Sequence, residues 1–278
     1  LWARARAAMA RMRDAHLSKY SATDRDAPAP DPGYVLIVDQ TEGDASVRAC
    51  GADRSRFLEM LTYARQEHPG TRIVIKAHPE TVAGHRPGHF RDSDAEDRIA
   101  IYDGTASPWA LLENAVAVYT VSSQMGFEAI LAGHRPRVFG TPFYAGWGLT
   151  EDQDPITRRR RKLTRAQLFV AAMILYPRWY DPYRDRLCDL EDVLATLEAR
   201  TRAWHEDRRG WIGEGMRLWK RKPLQGFFGE FRNMRFTNNV EKARALAMRE
   251  DRRRMVWAGK ARDTDAVRIE DGFLRSRG

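Results

Sequence analysis

The 278-residue chain is 43% hydrophobic and 10% aromatic, enough to bury a sizeable core and too apolar for a disordered polymer. Its longest apolar run, Leu168 to Tyr176, falls well short of the ~20 residues that cross a bilayer. Two cysteines, Cys50 and Cys188, exclude a disulfide framework and a Cys-rich metal site. The net charge of +9 suits nucleic acid, an anionic lipid surface or an anionic sugar substrate, and suits a solvated Arg-rich surface equally well.

The first residues, Leu1-Trp2-Ala3-Arg4 onward, carry arginine throughout and offer no apolar secretion-signal core, so the cytosol is the expected compartment. A chain that starts on Leu1 rather than Met reads as a fragment. The spacing predicts an Arg/Ala/Met helix to about residue 20, then a linker from Asp24 to Gly33 stiffened by Pro28, Pro30 and Pro32. Tyr34–Val38 is a continuous apolar run, the mark of a strand covered on both faces. An acidic turn from Asp39 to Asp44 leads to a helix over about 53–66, and Arg72–Lys76 is the second buried strand. Strands at 99–102, 115–120 and 137–139 alternate with helices at 109–114 and 123–132, the latter ended by Gly133. Such alternation implies a parallel, Rossmann-like sheet with flanking helices and ligands at the carboxyl ends of its strands.

Helices over 163–176 and 189–204 close that lobe. Beyond Trp211 the composition shifts, with a helix expected over 239–250 and strands over 254–259 and 267–269. Two strands and a helix do not complete a domain. The expected division is therefore 1–30 helix and linker, 31–205 nucleotide-binding lobe, and 206–278 the truncated start of a second α/β segment.

Five constellations lie at strand ends. Lys76-Ala77-His78-Pro79 follows the second strand, and its ammonium and imidazole can hold a phosphate, with Pro79 stiffening the loop. Ser122-Ser123 opens the helix after the fourth strand, where a cap, N–H groups and dipole favour an anion; Gly126 allows close approach and Glu128 can accept from ribose hydroxyls. The turn Asp39-Gln40-Thr41-Glu42-Gly43-Asp44 carries three carboxylates toward the ligand edge, and one of them can face an anomeric carbon. No ordered ligand spacing there supports a metal. Gly140-Thr141-Pro142-Phe143-Tyr144-Ala145-Gly146-Trp147-Gly148 sets aromatics among glycines beside the phosphate seat, where Tyr144 can line a base or sugar pocket. The terminal Glu270-Asp271-Gly272-Phe273-Leu274-Arg275-Ser276 also follows a strand.

These strings, together with Ile174-Leu175-Tyr176-Pro177-Arg178-Trp179, resemble bacterial capsule polysaccharide synthesis and export proteins, specifically the β-Kdo transferases built from two tandem modules. The resemblance runs in order through residues 1–205, and Pro142–Thr150 is its most specific part. It implies GT-B modules, each with an acceptor lobe before a nucleotide lobe, and no cofactor beyond the donor substrate CMP-β-Kdo. It implies transfer with retained anomeric configuration, building a poly-Kdo linker on a phospholipid anchor. Partners implied are the lipid-linked Kdo acceptor, the inner-membrane surface and the capsule export machinery, with no nucleic acid. By the resemblance Asp44 is the candidate nucleophile; Lys76, His78, Ser122 and Ser123 hold the CMP phosphate; Glu128 takes the ribose; and Gln40 and Tyr144 complete the donor contacts. Glu270 matches the acceptor-side acid, in a module whose donor lobe lies outside the chain. Gly43 stands where an acid is common in the family, which leaves Asp44 the functional carboxylate.

Two other readings stay open at this level. The Arg158–Lys162 run and Trp219-Lys220-Arg221-Lys222 would serve a basic nucleic-acid or membrane-binding module. A GT-B enzyme using a UDP- or GDP-sugar would share most of the same architecture.

Overall fold

The computed structural model describes residues 1–20, 23–260 and 265–272. The chain divides into two compact units, Leu1–Leu197 and Glu198–Gly278. The Arg/Ala-rich start folds as α1 (Trp2–Asp14), which buries Ala5 and Ala8. It stops short of residue 20 because His16 turns to a positive φ of 53° while Leu17 N–H donates back to Met12 O, a Schellman-type ending. Leu17 to Tyr20 therefore runs on as irregular chain, where a helix was expected.

The first unit then alternates strand and helix: β1 (Tyr34–Val38), α2 (Ala45–Ala49), α3 (Arg54–Glu67), β2 (Ile73–Lys76), α4 (Pro79–Val82), β3 (Ile99–Tyr102), α5 (Pro108–Asn114) and β4 (Ala115–Thr120). It continues with α6 (Met125–Ala132), β5 (Arg137–Val138), β6 (Glu151–Asp152) and α7 (Arg165–Phe169), which passes into a π-helical stretch over Val170–Leu175. An antiparallel pair, β7 (Trp179–Asp181) with β8 (Arg186–Cys188), precedes α8 (Leu190–Asp207). The unit boundary falls inside α8, ahead of the 205/206 break read from composition.

Six parallel strands form one sheet in the order β3-β2-β1-β4-β5-β6, the Rossmann arrangement. All five β1 residues are buried, because helices cover both faces. Phe57, Met60, Leu61 and Ala64 of α3 pack with Val35 and Ile37 on one face. Leu111 and Leu112 of α5 pack with Tyr34, Leu36 and Val38 on the other. A further cluster joins α1, α6 and α7 around Phe127, Tyr144 and Phe169.

The second unit holds β9 (Trp211–Glu214), α9 (Leu218–Phe228), β10 (Arg235–Thr237), α10 (Val240–Glu250), β11 (Arg253–Trp257) and β12 (Val267–Ile269). Its four strands are parallel in the order β10-β9-β11-β12, around Trp211, Met216, Leu224, Met234 and Met255. This corrects the expectation of two strands and one helix. β9 and β10 are three or four residues long and interrupted by glycine or arginine, so neither announces itself as an apolar run. Glu270 follows β12 and is exposed, while Phe273 to Ser276 of its motif lies outside the described residues.

Candidate functional site

Parallel register brings Tyr102, Lys76, Val38, Thr120 and Val138 side by side at the carboxyl ends of five neighbouring strands. Crossovers leave β1 toward one side of the sheet and β4 toward the other, so a crevice opens above this row. A cavity of about 440 Å³ lies there, within the range of small-molecule sites. Gln40, Asp44, Lys76, His78, Ser122, Ser123 and Glu128 all line it. Three loops that are 32 or more residues apart in sequence thus meet at one place.

A continuous polar chain links two of these loops. Ser122 N–H donates to Gln40 Oε1 at 2.9 Å, and Gln40 Nε2 donates to Ser122 Oγ at 3.1 Å. Ser46 Oγ lies 3.0 Å from Ser122 Oγ and donates to Asp44 Oδ1 at 2.7 Å. Asp44 also accepts from Ser46 N–H at 2.7 Å, which caps α2. Burial pushes the Asp44 carboxyl up, but the bonds from Ser46, the Val47 backbone and the nearby Lys19 charge outweigh it and hold the group below its ordinary value. Asp44 is therefore ionised at neutral pH. Asp39, in the same turn, is buried and accepts backbone N–H groups from Gln40, His89 and Phe90. Burial raises it to about 6 against those bonds, and its role is to tie the β1 loop to residues 89–90.

His78 caps α4: its Nδ1 accepts Glu80 N–H at 3.2 Å. That acceptor role assigns the ring proton to Nε2, which lies 3.2 Å from Tyr20 Oη. Burial, with the Lys19 and Lys76 charges, lowers the imidazole pKa against the pull of Glu80 and Asp44, so the ring is neutral with a donor on Nε2. Burial also lowers Lys76, partly offset by Glu128. Glu128 is only 3% exposed and accepts from Ser18 Oγ at 2.7 Å. Burial pushes its carboxyl up to about 7, although Ser18, the Lys19 backbone and the Lys76 charge pull the other way.

The Ser122-Ser123 turn opens α6 less simply than a serine cap. Gln124 occupies the cap position without a side-chain bond, and Ser123 Oγ accepts Met125 N–H at 3.3 Å. Tyr144 is corrected outright: it is fully buried in the core and does not line the cavity. Its hydroxyl donates to Ser123 O at 2.6 Å, so it sets the serine turn from below. Gly126 admits that ring, since a Cβ there would meet Tyr144 Cζ at 2.6 Å and Thr120 Cγ2 at 2.9 Å. The aromatic of this loop that reaches the cavity is its neighbour Phe143, 49% exposed. Glu270 belongs to the second unit.

Sequence reasoning missed Ser18, Lys19 and Tyr20, which line the cavity from the irregular chain after α1. The sequence reads as helix through Tyr20, because a helix-stopping His16 carries no strong sequence signal. In the Arg158–Lys162 run, Arg159 turns inward, donating to Pro142 O and Ala145 O and lying 5.5 Å from the Trp147 ring centroid. Lys220 packs over the Trp257 ring. These two cations hold structure. Among the described residues no group of three or more His, Cys, Asp or Glu is placed to share a metal ion. None of the described helices is long and apolar enough to cross a membrane.

The chain is 34% identical to the capsule polysaccharide modification protein LipA of Neisseria meningitidis serogroup B, over 95% of this chain and 40% of that protein. It is 37% identical to the lipopolysaccharide-processing protein LpsZ of Rhizobium meliloti, over 70% of this chain and 45% of that one. It thus spans less than half the length of these curated relatives. Among solved structures it is similar to the KpsC β-Kdo 2,4 transferase of Thermosulfurimonas dismutans, with a TM-score of 0.66 and 38% identity over 71% of this chain and 62% of that one. The KpsC β-Kdo 2,7 transferase of the same organism gives a TM-score of 0.56 and 26% identity over 72% and 61%. Residues 2–179 match the model of the capsule polysaccharide biosynthesis proteins, and the chain belongs to that family.

Proposed function

We propose that the first unit binds CMP-β-Kdo and is the donor-side lobe of a retaining, GT-B β-Kdo transferase that extends a lipid-linked Kdo acceptor at the inner-membrane surface during capsule biosynthesis. The observation that carries this reading is the meeting of the Gln40–Asp44, Lys76–His78 and Ser122–Glu128 motifs on one cavity at the sheet's switch point. The CMP phosphate is held by the Nε2–H of His78, the Lys76 ammonium and the Ser122–Ser123 turn, all donors to an anion. Glu128 faces the ribose from the cavity wall.

Asp44, ionised and fixed by its own cap, attacks the anomeric carbon as the bond to the phosphate oxygen breaks and CMP leaves with the electron pair. An acceptor hydroxyl then attacks the same carbon, displacing the Asp44 carboxylate and giving its proton to a base. Two inversions leave the configuration retained. A neutral His78 suits this role, because it donates a hydrogen bond without trapping the leaving phosphate as a full ion pair.

Titration calorimetry with CMP, UMP and UDP tests the reading. CMP should bind in preference to the other two, and His78→Ala should weaken CMP by ~10- to 100-fold, the worth of a hydrogen bond to a charged group. A protein with no CMP affinity, or one indifferent to His78→Ala, would overturn it.

A further inference from the structure

We infer that Lys19, on the segment between α1 and β1, is a specificity residue that binds the carboxylate a 2-keto acid sugar carries on its anomeric carbon. This deepens the donor-site reading above and rests on it. Three observations support it. Lys19 lines the same cavity as Asp44, His78 and Glu128, though it comes from a separate part of the chain. Its charge acts on all three of those groups at once. Among the described residues its ammonium has no ion-pair partner; it rests 5.2 Å from the centroid of the Tyr20 ring, whose hydroxyl meets His78.

Chemistry supplies the rest. In a nucleotide-activated ulosonic acid the anomeric carbon bears both the phosphate ester and a carboxylate, so the carboxylate lies within a bond or two of the reacting centre. A nucleophilic carboxylate approaching that carbon meets an anion of like charge, and the approach needs a cation between them. Lys76 is on the sheet floor beside the phosphate motif, with its Nζ donating to Ala77 O. Lys19 lines the same cavity from a separate segment, where its charge reaches both His78 and Asp44. An aldose donor has no carboxylate at this position and gains nothing from Lys19.

The segment is built to hold the lysine there. Ser18 Oγ and the Lys19 backbone bind the buried Glu128, and Tyr20 Oη binds His78. These anchors do not use the Lys19 side chain, so replacing it leaves the segment in place.

The test compares CMP with freshly prepared CMP-Kdo, by calorimetry, on the protein and on Lys19→Met and Lys19→Arg. The expected result is tighter binding of CMP-Kdo than of CMP by the unaltered protein. Lys19→Met should lose that preference, weakening CMP-Kdo ~10- to 100-fold while leaving CMP within about twofold. Lys19→Arg should keep most of the preference. Retained preference in Lys19→Met overturns the assignment. Equal loss of CMP and CMP-Kdo overturns it too and makes Lys19 a phosphate ligand. CMP bound as tightly as CMP-Kdo by the unaltered protein also overturns it. Absence of binding to either compound defeats the donor-site reading itself.

Discussion

Glu128 offers a sharp quantitative test of the site's electrostatics. Its carboxyl titrates near 4.5 when exposed and at about 7 in the folded protein, because burial penalises the charged form more than Ser18, the Lys19 backbone and Lys76 stabilise it. The sign follows from proton binding. Below pH 4.5 the group is protonated in both folded and unfolded chains and costs nothing. Between 4.5 and about 7 the folded chain holds the proton more tightly, so stability falls as pH rises. Above 7 the charge costs the fold about 3 kcal/mol, taking ~1.4 kcal/mol for each pH unit between the two values. Glu128→Gln keeps the shape and removes the titration. Denaturant unfolding of both proteins at pH 5, 6, 7 and 8 should therefore show the variant gaining on the wild type as pH rises, by up to about 3 kcal/mol across the window. Other groups that titrate there, Asp39 among them, appear in both proteins and cancel in the difference. Parallel stability curves would refute the argument. A variant that loses ground with rising pH would mean that attraction to Lys76 outweighs burial.

Gly126→Ala should destabilise the first unit by ~1–3 kcal/mol, since its Cβ would press on Tyr144 Oη and Cζ and on Thr120 Cγ2 in a closed core. A thermal scan with Tm unchanged would show that the ring yields freely. On the proposed reading, Asp44→Asn should leave CMP affinity within about threefold and lower sugar transfer by ~10³-fold or more, the signature of a lost nucleophile. Transfer that survives Asp44→Asn would remove Asp44 from that role. Asp44→Ala should in addition cost ~1 kcal/mol in stability, through loss of the α2 cap.

The sheet was legible because β1 and most of β2 are sealed on both faces and so appear as unbroken apolar runs, Tyr34–Val38 and Ile73–Ile75. The meeting of the three motifs at one edge was legible too, because residues just past the carboxyl ends of parallel strands must share that edge, whatever their separation in sequence. Side chains at right angles to that logic stayed hidden. Tyr144 sits in a motif that reads as a binding loop, yet its ring turns inward beneath Ser123, a direction set by tertiary packing around Gly126. Ser18, Lys19 and Tyr20 were invisible for the opposite reason: they belong to no regular element, and only their bonds to Glu128 and His78 show that they are part of the site. The second unit hid two strands, because short segments such as Arg235–Thr237 carry no periodicity to detect.

The chain from Ser122 to Asp44 explains why glutamine suits position 40. Its amide must accept from Ser122 N–H on one side and donate to the Ser122 and Ser46 hydroxyls on the other, which neither a carboxylate nor an aliphatic side chain can do. Because Ser46 Oγ gives its proton to Asp44, its lone pairs face Gln40 and Ser122, and the direction of the whole chain is set by the charge at its end. Ser122 then receives a hydrogen bond from Gln40 Nε2 and gives its own proton to Ser46 Oγ or Gln40 Oε1, so donating to an anion in the cavity exchanges one of those bonds for the new one. An isosteric glutamate would lose both donations and place a second negative charge between the serine turn and Asp44. The arrangement thus separates two demands that conflict in a bare cavity: donors collect at the serine turn, where the proposed reading puts a phosphate, and the Asp44 carboxylate is kept charged a few bonds away by hydrogen bonds to its own turn.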